Sequence, residues 1–132
     1  MKITLACLFS LFFLLTEAQQ DKIDSNTIYT IVEEMPEFPG GNNALYSFIQ
    51  TNMQLPLPVQ EGTVSGYCFL KFIVTANGTL RDIEVLKGVP NCKACDDAAV
   101  RVVKTMPKWK PGRLQGKEVN SFYNLPIKFR KP

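Results

Sequence analysis

Met106-Pro107-Lys108-Trp109-Lys110-Pro111-Gly112 separates two segments of opposite periodicity, and that contrast decides the fold. Upstream, Ala99, Val102, Val103 and Met106 recur at the i, i+3, i+4, i+7 spacing of one helical face. Asp96 and Asp97 lie at the start of this run and Arg101 and Lys104 near its end, matching the helix dipole at both termini. The helix is expected to begin near Cys95 and to stop at Pro107. Downstream, Val119 to Phe129 alternates as a strand, with Tyr123, Leu125, Ile127 and Phe129 on the inner face. That strand contains Pro126. A strand interior uses every backbone N–H, so a proline there points to a sheet edge, a bulge or a strand end. Unpaired backbone at an edge can be extended by another chain's peptide. Peptide capture, not catalysis, is therefore the leading reading.

Before the helix, Gly66 to Thr75 alternates, placing Cys68, Leu70, Phe72 and Val74 on one face and Tyr67, Phe69, Lys71 and Ile73 on the other. Ala76-Asn77-Gly78 supplies a hairpin turn, because Asn-Gly tolerates positive φ. Leu80 to Leu86 returns as the second strand, with Ile83 and Val85 as its inward pair. Further upstream, Asn42 or Asn43 is expected to cap a helix carrying Leu45, Phe48 and Ile49 on one face. This helix ends before Leu55-Pro56-Leu57-Pro58, and the connection from Pro58 to Gly66 is expected to be a plain loop. Met35-Pro36-Glu37-Phe38-Pro39-Gly40-Gly41 is extended, since each proline restricts itself and its predecessor. Ile28 to Val32 alternates weakly as a short strand. The expectation is an α+β fold: a two-layer sandwich of a small antiparallel sheet, about three strands plus the N-terminal one, with two helices packed on one face.

The chain has 132 residues, 45% of them hydrophobic and 20% charged, which fits a single globular domain. It opens Met1-Lys2 and is then almost wholly apolar from Ile3 to Leu15, short of the roughly twenty residues that span a bilayer. With small residues at Thr16 and Ala18, the opening reads as a secretory signal over residues 1–18, with an uncleaved anchor as the alternative. Residues 19–31 form a short leader and 32–132 the domain. Cys7 lies too early in the apolar run for a lipoprotein cleavage site. Export removes Lys2 and Glu17 and leaves the net charge at +3, too mild to imply nucleic acid. Lys104, Lys108, Lys110, Arg113 and Lys117 cluster around the tryptophan, either as a solvated rim or as a collar steering an acidic partner.

The sequence contains no histidine. That removes Ser-His-Asp and Cys-His catalysis and His-based zinc sites. Gly40-Gly41 lacks the lysine a phosphate loop needs. No cofactor and no metal are expected. Export leaves Cys68, Cys92 and Cys95. Cys92-Lys93-Ala94-Cys95 before a helix reads as a local disulfide, as unpaired thiols, or as a redox pair activated by the helix N-terminus. Cys68 fits a space-filling core residue. Trp109 either anchors the turn after the helix onto the sheet or stacks on a bound peptide or sugar. Tyr67, Phe69 and Ile73 form an apolar outer face that the N-terminal strand or a second protomer could cover.

Taken in order, Met35–Gly41, the hairpin around Asn77-Gly78, Val85-Leu86-Lys87-Gly88, Ala98 to Gly112, and Leu125-Pro126-Ile127-Lys128-Phe129 closely resemble the C-terminal domain of TonB energy transducers, in the form common in Bacteroidetes. The resemblance covers about residues 32–130. It implies a periplasmic domain that binds the TonB box, a short peptide of outer-membrane transporters, as an added strand beside its last strand. On this resemblance Ser121, Phe122, Tyr123, Asn124, Leu125, Pro126, Ile127, Lys128 and Phe129 form the docking edge. Complete transducers also carry a membrane anchor and a long proline-rich linker. Here about ten residues separate the expected cleavage point from the domain, reaching at most roughly 35 Å, so a free-standing exported binding domain is expected. The partner is then a TonB-dependent transporter or another envelope protein. The competing functions are a thiol–disulfide oxidoreductase using Cys92 and Cys95, and an envelope domain that homodimerises through its edge strand.

Overall fold

The computed structural model describes residues 22–132; the expected signal peptide, Cys7 and the first leader residues lie outside the described residues. Five strands and three helices follow in chain order: β1 (Ile28–Tyr29), α1 (Asn42–Asn52), α2 (Leu57–Gln60), β2 (Gly66–Val74), β3 (Leu80–Lys87), α3 (Lys93–Lys104), β4 (Gly112–Leu114) and β5 (Lys117–Phe129). The sheet order is β1-β5-β2-β3, with β4 paired to β5. The α+β class holds, while the sheet has more strands than the sequence suggested.

Alternation in β2 sorts its side chains as expected. Cys68, Leu70, Phe72 and Val74 are fully buried. They pack with Leu125, Ile127 and Phe129 of β5 against Leu45, Ile49, Val59, Ala99, Val102 and Val103 of the three helices. On the opposite face Tyr67 and Phe69 stay exposed, whereas Ile73 is buried. β2 sits centrally, antiparallel to β3 on one side and to β5 along its full length on the other. In β3 the register slips beside Asp82, whose φ is 52°. Ile83 packs on the core, but Val85 is a correction: although opposite Leu70, it lies on an edge strand and stays 37% exposed.

At the hairpin turn only Gly78 (φ 88°) uses the left-handed region; Asn77 contributes its side-chain oxygen, which accepts from the Thr79 N–H at 3.3 Å. A second reason for glycine is space. The Trp109 N–H donates to the Gly78 carbonyl at 2.9 Å, and a Cβ at Gly78 would stand 2.2 Å from the Trp109 oxygen. The Met106–Gly112 segment therefore crosses directly over the turn.

Three local expectations are corrected. The N-cap of α1 is Gly41, not Asn42 or Asn43, and it makes no side-chain cap bond. Pro58 to Gly66 is not wholly loop, because α2 starts at Leu57 and runs into it, with Pro56 as its extended N-cap and Pro58 in its first turn. Proline lacks only an N–H that a first turn leaves unpaired anyway, so it starts a helix as readily as it ends one. Val59 of this turn is fully buried. The third correction is β4: Gln115 (φ 51°) and Gly116 (φ 75°) form a two-residue turn that folds Gly112–Leu114 back onto Lys117–Val119.

α3 starts two residues earlier than expected, at Lys93, because Cys92 serves as N-cap and its Sγ accepts from the Cys95 N–H at 3.1 Å. Cys92 and Cys95 are joined by a disulfide and both are buried. Asp96 reaches back to accept from the Val89 N–H at 2.9 Å. Gly88 makes room for it, since a Cβ there would lie 2.2 Å from the Asp96 carboxylate. Replacing the pair as Cys92→Ser/Cys95→Ala should lower the unfolding free energy by about 2 kcal/mol, the chain-entropy value for so short a loop. Serine at 92 retains a capping oxygen, so urea unfolding of this variant reads the cross-link itself.

Candidate functional site

β5 is paired differently on its two sides. Toward β2 the ladder runs unbroken from Ser121↔Val74 to Phe129↔Gly66, with Pro126 opposite Phe69 and no register shift. On the other side β1 runs parallel to β5 and takes only Asn120 and Ser121. Beyond that point, among the described residues, no strand pairs with the outer side of Phe122 to Phe129. Ser121 thus lies between two neighbours, and the open edge begins at Phe122.

Pro126 sets the direction of every backbone group along this edge. A proline fits an uninterrupted ladder where its nitrogen faces away from the partner strand. Backbone groups of antiparallel neighbours alternate in direction. Hence Tyr123, Leu125, Ile127 and Phe129 address β2, while Phe122, Asn124 and Lys128 present both N–H and C=O outward and Pro126 presents only C=O. Side chains follow the same two-residue alternation. Leu125, Ile127 and Phe129 are buried and Tyr123 half-buried, whereas Asn124, Pro126 and Lys128 are exposed.

Asn120 fixes where the closed part ends. Its amide nitrogen donates to the Ser25 carbonyl at 3.0 Å and its oxygen accepts from the Ala76 N–H at 2.8 Å. One side chain therefore ties both the leader and the β2–β3 turn to β5. After Tyr29 the chain turns away, and Glu33 and Glu34 donate their N–H groups to the Arg113 carbonyl, each at 3.1 Å.

A groove of about 1060 Å³ runs between α1 and the last turn of this edge, lined in part by Tyr46, Ile49, Met53, Pro126, Lys128 and Arg130. Tyr123 belongs to the same side of the sheet; burial, and secondarily the nearby Tyr46 hydroxyl, holds its phenol above the ordinary tyrosine range. The outer face carries its own cover: the Lys71 ammonium lies 4.1 Å from the Phe122 ring centroid and the Lys128 ammonium 5.7 Å from that of Tyr67. Lysine over an aromatic face is a favourable contact and a deterrent to sheet stacking.

Trp109 takes the structural role. It is 3% exposed and packs edge-on against Phe38, Phe72 and Tyr123, with ring centroids 5.8, 5.4 and 4.8 Å away. The basic residues around it do not share one surface feature: Lys104 and Lys108 line a small pocket, Arg113 in β4 pairs with Glu34 at 3.6 Å, and Lys110 bridges to Glu37 through the backbone. Of the groove residues at α1, the sequence singles out only Ile49, as a core position; Tyr46, Met53 and Arg130-Lys131 carry no such signal. Their only trace there is a run of cations ending the last strand.

Cys68 is fully buried in β2. Burial pushes its thiol up to about 12, with the Asp96 carboxylate adding to the effect. The thiolate is the reactive form, so native protein should resist alkylation at pH 8 and react fully once unfolded in urea. The sign for stability follows from linkage: an unfolded thiol ionises from its ordinary value of 9.0, a folded one only near 12. This contribution is complete below pH 9 and is lost as pH rises toward 12.

A comparison with curated proteins finds no match. A family model does match, over residues 51–130, described as Gram-negative bacterial TonB protein C-terminal. The match spans α2, the three long strands, α3 and the whole of the open edge. The chain belongs to this family of non-catalytic, transport-associated domains of the Gram-negative envelope.

Proposed function

We propose that this domain captures an extended peptide, the TonB box of an outer-membrane transporter, as an added strand along Phe122–Phe129. The observation that carries the reading is the one-sided pairing of β5, with its outward donors at Phe122, Asn124 and Lys128. Strand addition uses such groups for affinity and the flanking side-chain pockets for specificity. The family match supports the transport context. The work is capture by backbone pairing, with no bond made or broken. The Cys92–Cys95 disulfide enters as a brace for α3, its sulfurs buried and away from solvent.

Amide exchange tests the reading directly. Adding a peptide that contains the TonB box of a candidate transporter should slow exchange at Phe122, Asn124 and Lys128 by at least about tenfold. The inward amides of Leu125 and Ile127, already in the β2 ladder, should change little. Slowing confined to other elements would move the capture site away from β5.

A further inference from the structure

The sheet has a second margin, the outer side of β3, and among the described residues no strand lies beyond it. The two margins are built differently. β5 meets β2 through an unbroken ladder with no register shift, from Ser121 to Phe129. In β3, eight residues, Leu80–Lys87, lie opposite only six of β2, Phe69–Val74. One residue too many falls between the pairs Ile73↔Arg81 and Lys71↔Glu84, where Asp82 adopts a φ of 52°. Another falls between Leu70↔Val85 and Phe69↔Lys87, where Leu86 has no partner. Each extra residue makes a β-bulge, which bends its strand and breaks the even spacing of the backbone groups.

A straight β3 would be a hazard. Val85 and Leu86 are 37% and 53% exposed, and Ile83-Glu84-Val85-Leu86 is rich in the residues that strands favour. The vacant side of β5 in one copy could then add to β3 of the next. That contact is head-to-tail, so each added copy exposes a fresh β5 and a fresh β3, and growth has no end point. Pairing of β5 with β5 would instead close after two copies. We infer that Asp82 and Leu86 confine strand addition to one side of the sheet: their bulges keep β3 from accepting the β5 edge of a second copy. This restriction holds whatever peptide β5 takes.

Deleting Asp82 and Leu86 together tests it. The six residues left would match β2 one to one, with Ile83 opposite Phe72, and Leu80, Ile83 and Val85 would keep the faces they now have. In sedimentation velocity, wild-type protein should not grow beyond a dimer over about a hundredfold range of concentration. The deletion variant should form larger species whose mass rises with concentration. Adding Asn124→Pro, which removes an outward donor from β5, should raise the concentration needed for that growth at least about tenfold. An Asp82→Asn/Leu86→Ala variant keeps both extra residues and loses only the charge and the bulky apolar side chain. Asparagine tolerates positive φ, so this variant should sediment as wild type. Growth in this control overturns the inference by assigning the effect to side chains. Growth of the deletion variant that Asn124→Pro leaves unchanged overturns it, as does a folded deletion variant that sediments as wild type. If the deletions prevent folding, the wild type decides alone. A blocked synthetic peptide with the sequence of residues 121–130 should leave amide exchange throughout β3 unslowed, and protection of β3 by that peptide overturns the inference.

Discussion

Trp109→Ala should lower the unfolding free energy by about 3–5 kcal/mol, the range for removing a large aromatic from a core. Trp109 is the chain's single tryptophan, and three aromatic rings close around it from different elements. Phe38 comes from the extended stretch before α1, Phe72 from β2 and Tyr123 from β5, so truncation leaves a cavity where three segments meet. Alanine keeps the backbone N–H that donates to the Gly78 carbonyl, so the loss reads the side chain. Trp109→Phe isolates the indole nitrogen. The indole Nε1 is buried without a hydrogen-bond partner, and an unpaired buried donor is a cost that phenylalanine removes. The Phe variant should therefore recover most of the loss and sit within about 1.5 kcal/mol of wild type. Far-UV circular dichroism in urea is the measurement, because the substitution deletes the tryptophan fluorescence. A wild-type stability for Trp109→Ala with weakened peptide binding would instead make the indole a ligand-stacking residue.

What could be read in the sequence was the part fixed by local periodicity. The alternation of Cys68, Leu70, Phe72 and Val74 matched the buried face of β2, and Ala99, Val102 and Val103 matched the buried stripe of α3. Both signals are strong because one face meets water and the other does not. β4 left no such trace: three residues are too few for a period of two to register, and Gln115-Gly116 is a less distinctive turn pair than Asn-Gly. α2 is hidden because Pro56 and Pro58 read as breakers, when the same chemistry also begins helices. Val85 reads as inward by pattern, and only the sheet order shows that, among the described residues, no strand lies beyond β3 to complete its burial.

The unpaired side of β5 was half legible for a related reason. Pro126 announces that one side of β5 is free of a partner that needs its N–H, and that much is chemistry carried by a single residue. How far the freedom extends depends on β1, whose two residues meet Asn120 and Ser121 through tertiary placement. The groove depends on α1 arriving beside the end of β5, two segments distant in sequence. Neither leaves a local pattern. Ser121, at the start of the expected edge, pairs with both Tyr29 and Val74 and is 1% exposed, its hydroxyl without a hydrogen-bond partner.

Asn124→Pro should weaken capture of a TonB-box peptide by about thirtyfold, roughly 2 kcal/mol, while the domain stays folded. The substitution removes one outward donor and strands the peptide carbonyl that would have met it, a penalty of about 1–3 kcal/mol. Pro126 has already removed the next outward donor along the edge, so the variant has none between Phe122 and Lys128. A strand held only at its two ends loses register as well as energy. Folding survives because Asn124 is exposed and its backbone groups face away from β2, where a sheet tolerates proline. The choice of position matters. Proline at Tyr123 or Ile127 has a different target, since those N–H groups address β2 opposite Phe72 and Cys68; such variants should unfold and say nothing about capture. Asn124→Ala is the matching control: it deletes the side chain, keeps the N–H, and should bind within about threefold of wild type, because side-chain hydrogen bonds exposed to water contribute little. Calorimetric titration of the two variants compares them directly. If Asn124→Pro binds as tightly as Asn124→Ala, the peptide does not pair with β5, and the vacant side of that strand has some purpose other than capture.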